Sequence, residues 1–345
     1  MGYFKKAVVF EAGTEGYAFY RIPVLLIAGN GDIMAFAEGR RASCSDTGVI
    51  DIVLRTSADG GKTWGALRVV VSDNENTNGN PCPILDPDTG DICLVYTTNL
   101  GKEKESEIRT GNAAPRRVHR CFSRDNGLTW TAPEDISAQA RLDDWTWYAT
   151  GPCHGICTKA GRYIVPCNHG EIENGESKGT RSHLIYSDDK GENWHIGAMS
   201  ELGTNEATVA ETPAGLYLNM RNYFPQKKRV YATGKDGGIT LDTCQIAKQL
   251  NDPRCQGSVY GYEGGLFFCN ANSKHLRKNL TLRHSADSGA TWNKGLVVAR
   301  EAGAYSDIAK NGDTVFVLYE GAREKLYDTI ILAGIRLEDY FGFAK

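Results

Sequence analysis

Residues 57–64 read SADGGKTW, and the octad returns as SRDNGLTW at 123–130, SDDKGENW at 187–194 and SADSGATW at 285–292. A degenerate copy, TGKDGGIT at 233–240, keeps the Asp-Gly pair, loses the tryptophan, and fits the long gap between the third and fourth copies. Each full copy follows an alternating apolar segment: DIVLRTS, RVHRCFS, HLIYS and LTLRHS. The octad has the physics of a hairpin turn. Asp59, Asp125, Asp189 and Asp287 are expected to accept hydrogen bonds from backbone amides two residues on. Gly61, Gly127, Gly191 and Gly289 supply a positive φ at no steric cost. Trp64, Trp130, Trp194 and Trp292 offer a large ring to pack against the unit.

Units that are mostly strand and repeat at such intervals read as propeller blades. Division of the 345 residues by six gives about 57 residues per blade, within the range such units occupy. The expected architecture is therefore all-β, a six-bladed β-propeller spanning 1–345 as one domain, with no appended lectin domain. The polar run at 101–117 reads as a long loop. One short helix is predicted, over DTCQIAKQLND at 242–252.

The bulk composition excludes several classes. A net charge of −3 implies no broad basic surface for nucleic acid. No apolar run approaches membrane-spanning length. The opening MGYFKKAVVF alternates like a strand and has no cleavage site, so a cytoplasmic protein is expected; a secreted one would need a leader removed. Ten cysteines at irregular spacing, several within apolar runs, read as buried free thiols. The cluster Cys153, His154, Cys157, Cys167 and His169 lacks the C-x2-C knuckle of a structural zinc site, so no metal is expected.

The octads are poor catalytic candidates, because repetition implies a job done equally by every unit. The singular features are arginines: Arg21 in AFYRIPVLL, Arg221 in LYLNMRNY and Arg277 in HLRKNLTLRHS. Each alone reads as a paired strand arginine. Three planar forks brought together from three blades would instead grip a carboxylate.

YRIP followed by several S-x-D-x-G-x-T-W boxes resembles the exo-α-sialidase (neuraminidase) family. The segments AFAEGRRASCSD, NPCP, ATGPCHGI, NEATVAE, LNMR, CQGSV, AYSD and LYE resemble family segments in family order, over nearly the whole chain. The resemblance implies these roles. Arg21, Arg221 and Arg277 bind the substrate carboxylate. Asp46 is the acid/base on a mobile loop, Tyr305 the nucleophile and Glu206 its base partner. Glu320 braces the first arginine. Arg40 or Arg41 is a further substrate-contacting arginine, the EGR pattern favouring Arg40. Asn80 and Gln256 are weaker candidates for the sugar pocket. Glu211 is a rival to Glu206, which the spacing before the arginine strand favours.

The chemistry is coherent. Sialic acid carries a carboxylate on its anomeric carbon, and a neutral tyrosine approaches that carbon without like-charge repulsion. Its pKa near 10 requires a neighbouring base. Asp46 must be protonated to donate to the leaving oxygen, and sialidases depart from the two-carboxylate rule of glycosidases. The reading is a retaining exo-α-sialidase acting on glycoproteins, glycolipids or oligosaccharides, a monomer without cofactor. Rival readings are a transferase-like sialidase, intermolecular or intramolecular, a non-catalytic sialic-acid-binding propeller, and an Asp-box enzyme acting on a neutral polysaccharide. One departure stands out: vertebrate cytosolic sialidases carry tyrosines for the glycerol tail about where this chain has Asn168 and His169.

Overall fold

The computed structural model describes residues 5–343. It is built from antiparallel meanders of four strands. The first runs Phe19–Ile27, Ile33–Arg40, Ile50–Ser57 and Arg68–Val71. The second runs Thr77–Leu85, Ile92–Asn99, Arg117–Ser123 and Glu134–Asp135. A single parallel bridge, Ile50 to Thr77, joins these two into one sheet. The third runs Trp145–Thr150, Tyr163–Glu173, Glu176–Ser187 and His195–Met199. The fourth runs Thr204–Thr212, Gly215–Asn222, Lys228–Gly234 and Gln245–Asn251. The fifth runs Gly257–Tyr262, Gly265–Ala271, Leu280–Ser285 and Leu296–Ala299. The sixth takes Ser306–Asn311, Thr314–Gly321 and Thr329–Arg336 from the C-terminal end and completes itself with Lys5–Glu11 from the N-terminal end.

Every box, the degenerate one included, lies between the third and fourth strands of its meander. The sixth meander has no such turn, because its fourth strand comes from the other end of the chain. The aspartates reach further than two residues. Asp59 accepts from the Thr63 amide at 2.9 Å and from the Thr63 hydroxyl at 2.7 Å, while Ser57 Oγ donates to it and accepts from Gly61 N. Asp125, Asp189, Asp287 and the degenerate Asp236 likewise bond the amide four residues on. The first box is an eight-residue loop closed behind by Gly65 N donating to Thr56 O, and the carboxylate braces its interior.

The tryptophans and glycines of the boxes reach the preceding meander, and Trp292 also packs on Phe268 of its own. Trp130 meets Phe36 edge-on at 6.1 Å, and Trp292 meets Tyr217 at 5.9 Å. A Cβ on Gly127 would lie 2.3 Å from Met34 Cε, and one on Gly289 would lie 2.3 Å from the Tyr217 ring. The apolar clusters follow the same rule. Six of them are each filled from two consecutive meanders, and one of these, with Phe10, Leu318, Leu25 and Ala37, joins the sixth to the first. Burial of these faces supplies the main stabilisation.

At the centre, buried polar side chains tie first strands together. Asp307 accepts from Leu25 N at 3.0 Å, His154 N at 3.1 Å and the His154 ring at 2.8 Å.

Some expectations change. Residues 242–252 form no helix: Gln245–Asn251 is the outer strand of the fourth meander, paired with Lys228–Gly234. Pairing at a sheet edge overrides the weak local helical preference. The segment 101–117 is no plain loop, since it holds a short helix, Glu105–Arg109, anchored by buried Ile108. All ten cysteines are free thiols; most are buried, but Cys44 is exposed. His154 and His169 are spoken for by Asp307 and by His183 with Glu171. No cluster of three or more His, Cys, Asp or Glu fit for a metal occurs among the described residues. None of their helices is long and apolar enough to cross a membrane.

Candidate active site

The inner ends of the first and second strands, with the loops beside them, enclose a polar cavity of about 200 Å³. It brings together Arg21, Arg40, Asp46, Asn80, Glu206, Arg221, Arg277 and Tyr305, drawn from five of the meanders, and the third adds Trp147 and Asn168 to its wall.

Tyr305 precedes the first strand of the sixth meander and is 6 % exposed. Its hydroxyl donates to Glu206, and Arg221 Nη1 donates to that hydroxyl at 3.2 Å and to Glu206 Oε2 at 2.8 Å. Burial, and then the Glu206 charge, push the phenol pKa up, while Arg221 and Arg277 pull it down. The tyrosine therefore rests protonated beside a base that already shares its proton. Glu211, the rival acid, lies elsewhere and accepts from Lys159 N.

Arg21 lies on the first strand of the first meander, and its Nε is 2.5 Å from Glu320 Oε1. Glu320 is fully buried and also accepts from Ile22 N at 3.1 Å and Tyr305 N at 3.2 Å. Burial works against the Arg21 charge, but Glu320 outweighs it and the pKa rises. Arg221 behaves the same way against burial, with Glu206 as its partner. Arg277 sits in a loop before its strand. It donates to Tyr327 Oη at 2.8 Å and lies 5.3 Å from the Tyr305 ring centre. Tyr327 also carries Arg21 over its face at 4.0 Å.

Asp46 lies on an exposed loop and pairs with Arg40 Nη1 at 2.8 Å. Burial opposes its charge, but Arg40 and then Arg21 overcome it, so the carboxyl pKa is lowered. These two guanidiniums thus hold Asp46 ionised. Arg40 is the arginine at the site, tied to Glu38 at 2.6 Å and to Cys44 O. Arg41 turns away to Asp51 and Asn74.

Asn80 lines the cavity. Its amide donates to Glu38 at 2.8 Å, and its side-chain oxygen accepts from Arg116 at 2.9 Å. Gln256 does not line it. That side chain is 1 % exposed, donates to Pro152 O and Ser306 O, and accepts from Ser306 N, so it clamps three meanders together. Asn168 faces the cavity. His169 points to the other side of the same strand, stacked 3.6 Å from the Trp145 ring centre.

Several wall residues have no mark in the sequence reading: Glu38, Arg116, Trp147, Tyr223, and Glu105 and Arg109 of the short helix. Arg116 follows Pro115, just before the strand Arg117–Ser123, and Trp147 lies in the alternating WTWYAT run. A buried cation in an otherwise apolar or aromatic neighbourhood was the available signal.

The chain matches the BNR repeat-like domain over residues 31–318. It is 34% identical over 278 residues to sialidase-4 of Mus musculus, covering 75% of this chain and 57% of that one. It is 31% identical over 331 residues to the exo-alpha-sialidase of Aspergillus fumigatus, covering 86% and 77%. It superposes on the Hadza microbial sialidase Hz136 with a TM-score of 0.85 at 25% identity, over 96% of this chain and 68% of that one. The chain thus spans little more than half the length of the mouse relative. Its repeated turn boxes, the domain match and the identity across most of the fungal relative place it in the exo-α-sialidase family.

Proposed function

We propose that the protein is a retaining exo-α-sialidase that removes terminal sialic acid from glycans through a tyrosyl intermediate. One observation carries the reading: Tyr305 hydrogen-bonds Glu206 beside three guanidiniums gathered from separate meanders. The six meanders are the blades of one propeller working as a monomer, a count supported by apolar cores that run from each meander to the next and from the sixth back to the first.

The substrate carboxylate sits on Arg21, Arg221 and Arg277. Its negative charge offsets the Arg21 field that helps keep Asp46 ionised. Asp46 therefore gains affinity for a proton as substrate arrives and donates it to the leaving oxygen. Tyr305 Oη attacks the anomeric carbon while its proton passes to Glu206 along the existing hydrogen bond. Arg221, bonded to both groups, steadies the charge that moves between them. Water, deprotonated by the Asp46 carboxylate, then attacks the same carbon. Tyr305 departs and recovers its proton from Glu206, so the configuration is retained. Glu320 keeps Arg21 aimed, and Arg40 sets the proton affinity of Asp46.

Proton NMR of the products from α2,3- and α2,6-sialyllactose tests this. Free sialic acid should appear first as the α-anomer. First appearance of the β-anomer, or no release from any sialoside, overturns it. An anhydro or transferred product assigns the chain to the transferase-like branch instead, with the same residues in the same roles.

A further inference from the structure

Six arginines line the cavity. Arg21, Arg40, Arg109 and Arg221 each hold a carboxylate. Arg277 holds Tyr327 and is given to the substrate carboxylate in the reading above. Arg116, like Arg277, has no carboxylate at ion-pair distance, yet it is the more deeply buried of the two, at 2 % exposed. Its Nη1 donates to Asn80 Oδ1 and Tyr148 O, its Nε has no partner, and its Nη2 makes no hydrogen bond. Burial lowers its pKa to about 10. A buried cation left so short of acceptors is expensive unless a ligand supplies one.

Its placement says which part of the ligand that is. Arg116 belongs to the second meander, across a six-fold ring from the Arg277 meander. Trp147, whose ring lies 4.4 Å under the Arg116 guanidinium, belongs to the third, across from Tyr305. In the pyranose ring of a sialic acid, the carbon opposite the carboxylate-bearing C2 is C5. C5 carries either an N-acyl group or a hydroxyl.

We infer that Arg116 is a specificity-determining residue that hydrogen-bonds the C5 substituent and makes the site favour a 5-hydroxyl over a 5-acetamido group. This rests on the sialidase reading of the same pocket. A hydroxyl both accepts and donates. The wall offers Arg116 Nη2 as donor, and as acceptor the Glu105 carboxylate, of which only Oε1 is engaged by Arg109. An acetamido methyl would have to press on a guanidinium, because the Trp147 face is already covered by Arg116 and Arg109.

The test compares two 4-methylumbelliferyl sialosides, 5-hydroxy and 5-acetamido, with wild type, Arg116→Met and Arg116→Lys. Wild type should show the higher kcat/KM for the 5-hydroxy substrate. Arg116→Met should lower the 5-hydroxy to 5-acetamido ratio at least tenfold, carried mainly by KM, since a site built around a hydroxyl discriminates strongly. Arg116→Lys, which keeps charge but loses the fork, should fall between. A wild-type preference for the 5-acetamido substrate, or a ratio unchanged within twofold in both variants, overturns the role of Arg116. If wild type cleaves neither sialoside, the sialidase reading itself fails. Should Arg116→Met not fold, Arg116→Lys and the wild-type preference decide alone.

Discussion

Glu320→Gln replaces one oxygen of a fully buried carboxylate by an amide nitrogen. Four donors now point at the carboxylate: Arg21 Nε, Arg21 Nη2, Ile22 N and Tyr305 N. The glutamine oxygen satisfies one side, Arg21 Nε with Ile22 N. Its NH2 then faces Arg21 Nη2 and Tyr305 N, donor against donor. The Arg21 charge, itself 7 % exposed, loses its counter-ion. Stranding a buried charge in this way costs about 3–5 kcal/mol. With an unfolding entropy of about 2.1 cal/mol/K per residue over this chain, the expected fall in Tm is roughly 4–7 °C. Differential scanning calorimetry measures it. Turnover of an aryl sialoside should fall as well, because Arg21 is no longer aimed. The decisive arm is Arg21→Met in the Glu320→Gln background. Removing the stranded cation should restore at least half of the lost stability while activity stays absent. If Glu320→Gln melts within 1 °C of wild type, or the double variant is no more stable than the single one, the brace is not what holds Arg21.

Tyr305→Phe should lower kcat by at least about a thousandfold while changing the Kd for sialic acid less than about fivefold, since the ring and the arginines remain; isothermal calorimetry and a fluorogenic assay separate the two, and a wild-type rate refutes the nucleophile assignment. Arg277→Ala removes a charge-assisted pair to the ligand and should weaken sialic acid binding about 10- to 100-fold; unchanged binding removes it from the set of three. The buried pair His169 and His183, joined at 2.9 Å, gives a pH signature. Burial lowers the His169 pKa to about 4, and burial with its neighbour lowers that of His183. Both stay neutral in the fold and take up protons on unfolding. Their stabilisation is therefore complete above about pH 6.5 and is lost as pH falls towards 4, on the order of 3 kcal/mol for His169 alone. Tm should drop over that window, and His169→Gln should flatten the slope; an equal slope in the variant refutes it.

What was legible in the sequence followed from local chemistry. The boxes announce themselves because Asp, Gly and Ser or Thr close a loop within eight residues. Even the degenerate 233–240 copy makes its carboxylate bonds to Ile239 N and Thr240 N. The meeting of Tyr305 with Glu206 was legible only through resemblance, since nothing within either segment predicts a partner 99 positions away. Arg116 was missed because the first of two arginines after a proline looks like a loop cation until the neighbouring meander buries it. Gln256 was misplaced for the converse reason, its polarity suggesting a sugar contact when the centre of the fold consumes its amide. The outer strand 245–251 reads as a helix from sequence because, as an edge strand, it buries only Ala247 and Leu250 and carries no alternation of its own.

The chemistry sits where the repeat is broken. In the first three meanders the first strand is interrupted at an X-Pro step with left-handed backbone at X: Ile22 at φ 56°, Asn80 at φ 53° and Gly151 at φ 64°. The ladder slips there, between Arg21 and Val24 and between Gly79 and Cys82. For a β-branched residue such as Ile22 this conformation costs about 1–3 kcal/mol, so neighbouring contacts must enforce it. Those contacts can be named. The turned Ile22 amide donates to Glu320, the same carboxylate that holds Arg21, and the turned Asn80 amide donates to Glu38, which holds Arg40. A regular strand would send these amides into a ladder bond. The kink redirects them to the two acids that aim the pocket arginines. Backbone strain at YRIP and NPCP is thus part of how the site is preorganised. The boxes at the rim leave it undisturbed, since they lie at the opposite edge of each meander.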